Sequence, residues 1–234
     1  MVKRFLPVTI VVLLFLAAPL VQAYEAHVEE VINTPTVTSK KAFEVDTTME
    51  LWNRALDNPC LMGRLWEIYE FKPSYNVTKT ATGIHVAGSL GIAGDVRQVA
   101  QSDHARTFYA TGRFDHWVIP SFFTANSVVM FEYNGNGDRP SGEVTLFLRG
   151  NNGISRFVMS IFSGTLTRRI NNRTDSTLEN MKEILRDIVN DPVKVRDALA
   201  GQLLSDFDRL FQVTEIKPTD SQEMSPDLQY QMYK

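Results

Sequence analysis

The sequence predicts an α+β fold, with helices before and after a continuous run of antiparallel strands. Two observations predict it. The apolar period is helical up to Lys72-Pro73, alternating through the middle of the chain, and helical again after Gly153. Within the middle stretch, Gly and Asn recur at short intervals, as tight hairpin turns require.

Residues 1–23 read as a cleavable secretory signal peptide. Lys3 and Arg4 supply a positive start, an uncharged apolar run follows from Phe5 to Leu16, and Pro19 breaks it before Val21-Gln22-Ala23. The run is too short for a comfortable transmembrane helix, and an uncleaved anchor is the alternative weighed against cleavage. No Cys follows it that could carry a lipid, and no later stretch is long and apolar enough to span a bilayer. The expected mature chain has 211 residues, enough for one well-packed domain with or without an appendage. Its charge falls from −3 to −5 with the loss of Lys3 and Arg4. It is expected to be secreted or periplasmic and not integral to a membrane.

The elements follow in order. Residues 27–38 are rich in β-branched side chains and are read as a first strand. From Phe43, Val45, Met49, Trp52 and Leu56 recur at helical steps until Asn58-Pro59. A second short helix presents Leu61, Leu65, Trp66 and Tyr69 and stops at Lys72-Pro73. Strands are predicted near 74–80, 83–90, 94–101, 106–119, 126–133 and 143–149. The hairpin signal Asn134-Gly135-Asn136-Gly137-Asp138 joins the last two. After Gly153 the stripe Ile154, Phe157, Val158, Ile161, Phe162 and Leu166 predicts a helix with those residues inside. The polar run 171–175 interrupts it, and Ser176 with Glu179 looks like a capping box opening a second helix, with Met181, Ile184, Leu185 and Ile188 buried. Asp191-Pro192 starts an additional C-terminal helix over 191–213, and the polar residues 214–234 are expected to form a tail of low order.

Several functions are excluded by what is missing. No basic cluster suits nucleic acid. Cys60 is alone, and His27, His85, His104 and His116 have no metal-ligand spacing, so neither a metal nor another cofactor is expected. No nucleophile elbow, metalloprotease helix, phosphate loop or calcium loop is present.

The order strand, two short helices, six strands and long C-terminal helices resembles the START-like, helix-grip superfamily, which includes Bet v 1-like and polyketide cyclase-type proteins. The stretches that carry the likeness are LWEIYEF (65–71), YNVTKT (75–80), RTFYATGRF (106–114) and SGTLTRRINNRTDSTLENMKEILRDI (163–188). The resemblance implies a domain over 24–190 in which a curved antiparallel sheet of six to seven strands wraps a long C-terminal helix. It implies a cavity between them that takes an apolar small molecule, a lipid or sterol among the candidates.

By alternation, Phe108, Ala110, Gly112, Phe114 and His116 share one strand face, and Tyr109, Thr111, Arg113, Asp115 and Trp117 the other. The first set is the more apolar and is assigned to the cavity, and the second to solvent. The remaining lining is expected from Phe131 or Met130, Leu146 or Phe147, and helix residues Phe157, Ile161, Met181 and Leu185. Two alternatives stand beside ligand binding. One is a cyclase or aromatase-type enzyme using His116 as general acid–base. The other is an envelope interaction module that docks a protein partner through the last helix.

Overall fold

The structure, a computed structural model, describes residues 26–88, 92–114, 123–136 and 139–211. The predicted signal peptide, His116 and the tail 214–234 lie outside the described residues. The described residues form two compact units that part between Asn190 and Asp191.

The first unit opens with a helix, α1, over 26–33. A strand was expected there, but Val28, Val31 and Ile32 stand at i, i+3 and i+4, and that spacing prevails over their β-branched character. Strand β1 (Val37–Glu44) follows, then helices α2 (Met49–Asp57) and α3 (Pro59–Ile68). Thr48 caps α2 by accepting from the Leu51 amide, and Pro59 stands in the first turn of α3, where no amide hydrogen is needed. Six strands come next: β2 (Tyr75–Lys79), β3 (Ile84–Gly88), β4 (Ile92–Ser102), β5 (Ala105–Phe114), β6 (Thr124–Asn136) and β7 (Arg139–Gly150). All six match predicted strands, with 115–119 of the predicted strand 106–119 outside the described residues. The β6–β7 pairing runs up to Asn136 opposite Arg139, as the Asn/Gly hairpin signal required.

The seven strands form one antiparallel sheet in the order β1-β7-β6-β5-β4-β3-β2. The first strand therefore pairs with the last, and β1 and β2 are the two edges. A short helix, α4 (Gly153–Ile161), leads into α5 (Ser163–Asn190), 28 residues long. No second helix begins at Ser176. Its hydroxyl donates to the Asn172 carbonyl one turn back, and the helix passes through the polar run unbroken.

The pairing register sorts the side chains onto two faces. One carries Phe43, Val144, Phe131, Phe108, Val96 and Val86 and looks toward α2, α3 and α5. Trp52 of α2 is fully buried on it, with its ring 5.1 Å from Phe43, 6.1 Å from Phe131 and 6.1 Å from Tyr133. Gly63 lets α3 settle onto β2, since a β-carbon there would lie 2.4 Å from a Val77 methyl. Gly142 does the same between β6 and β7, where a β-carbon would lie 2.0 Å from the Glu132 carbonyl oxygen. The opposite face carries Tyr109, Val128, Met130 and Phe147 and is covered by Val28, Val31 and Ile32 of α1. Tyr109, expected in solvent, is buried there, while Thr111 and Arg113 further along β5 are exposed.

The second unit holds two helices, α6 (Pro192–Asp197) and α7 (Gln202–Phe211), where one had been expected. Asp191 caps α6 by accepting from the Lys194 amide at 3.1 Å. The chain then turns at Gly201, whose positive φ of 60° suits glycine and ends the run. Arg196 and Asp208 tie the two helices with paired bonds of 2.7 and 2.9 Å.

One buried ion pair anchors α2 to the sheet. Arg106 of β5 bonds Asp57 at 2.7 and 3.1 Å, with side chains 4% and 33% exposed. Asp57→Ala leaves that guanidinium buried without its counter-charge and is expected to cost about 3 kcal/mol, read as a lower midpoint in urea unfolding.

Candidate functional site

The site is a trough closed by a helix. Flat, seven strands would hold their edges about 29 Å apart, whereas a helix with its side chains is only about 10–12 Å across. Yet both edges reach the same part of α5. On one side Ser39 of β1 donates to Asn171 at 2.5 Å, and Lys41 pairs with Asp175 at 2.8 Å. On the other side Arg173 donates to the hydroxyl of Tyr75 in β2 and stacks over its ring, 4.8 Å from the centroid. The sheet must curl strongly for this to happen. The register shift between Gln98 and Ala100 marks a bulge in β4, and bulges bend a sheet locally.

Helical geometry explains why a polar run serves here. Asn171 and Asp175 are one turn apart and share a flank, and Arg173 projects from the opposite flank. The apolar residues Leu178, Leu185 and Ile188 continue the buried side of the helix. Burial lowers the pKa of Arg173, because desolvation disfavours its charge. The Tyr75 hydroxyl and ring face offset part of that cost. Further along, Tyr69 at the end of α3 donates to Asp187 at 2.9 Å. Burial first, then that bond and the carboxylate charge, raise the Tyr69 pKa well above the usual tyrosine range.

The wall beneath α5 is apolar and incompletely covered. Val86, Val96, Phe108, Ala110, Val129, Phe131 and Leu146 all lie on the concave face by register, and all are only half-buried. One end is plugged by α4, where Met159 packs with Val37, Phe123 and Ala125. The other end holds the aromatic group of Phe43, Trp52, Phe131 and Tyr133, in which the Tyr133 hydroxyl donates to Asn53 at 2.6 Å.

Of the expected lining residues, Phe131 and Leu146 are on the concave wall. Met181 is half-buried and Leu185 fully buried on α5. Phe114 ends β5, paired with Ile92. Met130, Phe157 and Ile161 are corrected, and of the pair Leu146 or Phe147 it is Leu146 that faces inward. Met130 and its alternate-strand counterpart Phe147 face α1 on the convex side, because the register puts Phe131 and Leu146 inward. Phe157 and Ile161 are exposed, since the side of α4 turned to the sheet is the one bearing Ser155 and Met159. Sequence reasoning missed the gripping residues Ser39, Tyr75, Asn171, Arg173 and Asp175. Their signal is the polar run 171–175, which by periodicity alone resembles a helix break.

The described histidines are elsewhere. His27 is on α1, His104 is in the β4–β5 turn, and His85 pairs with Asp95 at 2.8 Å across β3 and β4, where both side chains are exposed. Among the described residues no group of three or more His, Cys, Asp or Glu is placed to hold a metal ion. A polar cleft of about 540 Å³ lies outside the trough, between Glu44, Asp46, Arg139 and the α5 residues Glu179, Lys182 and Glu183. Its charges pair with one another, Arg139 with Asp46 at 3.3 Å and Lys182 with Glu179 at 2.8 Å, as on a solvated surface.

The architecture is α+β with the helix-grip arrangement, in which a curved antiparallel sheet holds a long helix against its concave face. Among solved structures, the chain is similar to a hypothetical protein of Helicobacter pylori, with 8% identity over 64% of this chain and 88% of that one and a TM-score of 0.45. It is also similar to Ara h 8.0201, with 7% identity, coverage of 64% and 97%, and a TM-score of 0.43. A third is the di-domain ARO/CYC BexL of the BE-7585A biosynthetic pathway, with 12% identity, coverage of 67% and 53%, and a TM-score of 0.34. No protein-family model and no curated protein matches the chain.

Arg173→Leu removes the tie to β2 while leaving the β1 side of the grip intact. Amide exchange across Tyr75–Lys79 is expected to speed up about tenfold, the equivalent of roughly 1.5 kcal/mol for a bond from a charged donor. Exchange in the β6–β7 pair is expected to stay unchanged.

Proposed function

We propose that the chain is exported and that the mature protein binds an apolar small molecule, of lipid or sterol character, in the trough between the concave sheet face and α5. The observation that carries this reading is the half-buried apolar wall. Val96, Phe108, Val129 and Leu146 face inward from central strands, yet none is fully buried. In a core packed to ordinary density such side chains would be closed off. A ligand that covered them would gain roughly 25 cal/mol for each Å² of apolar surface removed from water. Small-molecule sites are commonly concave and mostly apolar, with few polar groups, and this wall has that character. Export is supported by the charged start, apolar run and small-residue end of residues 1–23.

Mass spectrometry of the protein purified from its own compartment tests both parts. The intact mass is expected to begin at Tyr24, and solvent extraction is expected to release a stoichiometric apolar molecule. Ala110→Phe adds a ring to the middle of the wall, where Ala110 stands between Val96 and Ser127. It is expected to weaken binding of the fluorescent fatty acid cis-parinaric acid by about tenfold or more, or roughly 1.4 kcal/mol. A protein that is empty on extraction and also fails to take up cis-parinaric acid would contradict the reading.

A further inference from the structure

The side of α4 turned away from the sheet is its apolar side. Ile154, Phe157 and Ile161 line it, Phe162 follows at the helix end, and these four are 59 to 67% exposed. They recur at the steps that place residues on one helical face. The opposite side, with Ser155 and Met159, is buried against the end of the trough. Asn152 fixes the start of the helix by accepting from the Ser155 amide at 2.7 Å, so the exposed face is held in a set orientation. Monomeric soluble proteins rarely leave large apolar side chains clustered in this way.

Charge identifies the partner. From Val144 to Thr174 the chain contains Arg149, Arg156, Arg168, Arg169 and Arg173 and no acidic residue. Arg149 pairs with Glu30, and Arg173 with Tyr75. Arg156 on α4 and Arg168 and Arg169 in the next helix are exposed, and none of the three has a carboxylate partner among the described residues. Elsewhere the chain is acidic, with a net charge of −3 overall. Exposed Phe and Ile, with exposed arginines before and after them in sequence, form the pattern of a segment that lies in a bilayer interface, with its rings among the acyl chains and its cations among anionic headgroups.

We propose that α4 docks the protein on the surface of an anionic lipid bilayer. Docking by this face does not depend on the trough holding a ligand.

The test uses the full chain with Cys60→Ser and Ser160→Cys, labelled with the environment-sensitive dye NBD at position 160, on the exposed part of α4. Vesicles of phosphatidylglycerol mixed equally with phosphatidylcholine are expected to shift its emission to the blue. Their apparent affinity is expected to be at least about tenfold above that of pure phosphatidylcholine, and to weaken as salt is raised. Phe157→Ser with Phe162→Ser should abolish the shift. Arg168→Gln with Arg169→Gln should weaken binding and flatten its salt dependence. Positions 157, 160, 162, 168 and 169 are exposed and Cys60 is half-buried, and unchanged circular dichroism shows that the fold is kept. No shift with anionic vesicles, or a shift unaltered in both double variants, would overturn the proposal. So would a blue shift that needs only higher protein concentration, which would assign the face to a second copy of the chain. A ligand-free protein that still binds anionic vesicles through α4 would separate this proposal from the reading of the trough.

Discussion

The structure of the first unit depends on one constraint: three neighbouring polar side chains of α5 hold both edges of the sheet. Asn171 and Asp175 take β1, and Arg173 takes β2. Because β1 and β2 are the outermost strands, a helix that reaches both forces the sheet to curl around it. The concave space follows from that curl. The wall strands are pinned at their rims, and the side chains at the centre of the sheet stand off from the helix. Bonds at the rim therefore determine what the apolar centre can do.

The two ends of the trough are closed by different means. At the hairpin end, α2 brings Trp52 down on Phe43, Phe131 and Tyr133, and the Arg106–Asp57 pair locks the same helix to β5. At the other end, α4 presents Met159 inward and its phenylalanines outward. The convex side is covered in part by α1, whose valines bury Tyr109 and Val128, while Glu30 holds Arg149. Each face thus has fully buried side chains beside half-buried ones, and on the concave face the half-buried ones, Val96, Phe108, Val129 and Leu146, lie together on the central strands.

Much of this was legible in the sequence. The six strands and their turns could be read because alternation and Gly/Asn punctuation are local signals. The inward face of β5 was also legible, since its apolar and small residues alternate with polar ones from Phe108 to Phe114. Phase in β6 and β7 was not, because VVMFEY and VTLFL are apolar on both faces, and only pairing with β5 and packing by α1 decide between Met130 and Phe131. The helical α1 was misread because valine and isoleucine favour strands, although their spacing was helical. The α4 stripe was periodic, but periodicity marks an apolar face without saying what covers it. The grip residues were hidden for the opposite reason. Polar residues in mid-helix look like a break unless their partners, more than ninety residues away, are known.

The most direct measurement is an NMR experiment with methyl-labelled protein and protonated stearate, recording nuclear Overhauser effects between ligand and methyl groups. The account predicts contacts to Val96, Val129 and Leu146 of the concave wall, with none to Val31, Val128 or Met130 beneath α1. Stearate that touched only Ile154 and Ile161 of α4, or no methyl of the concave wall, would contradict the claim that the curled sheet and its gripped helix enclose a binding site.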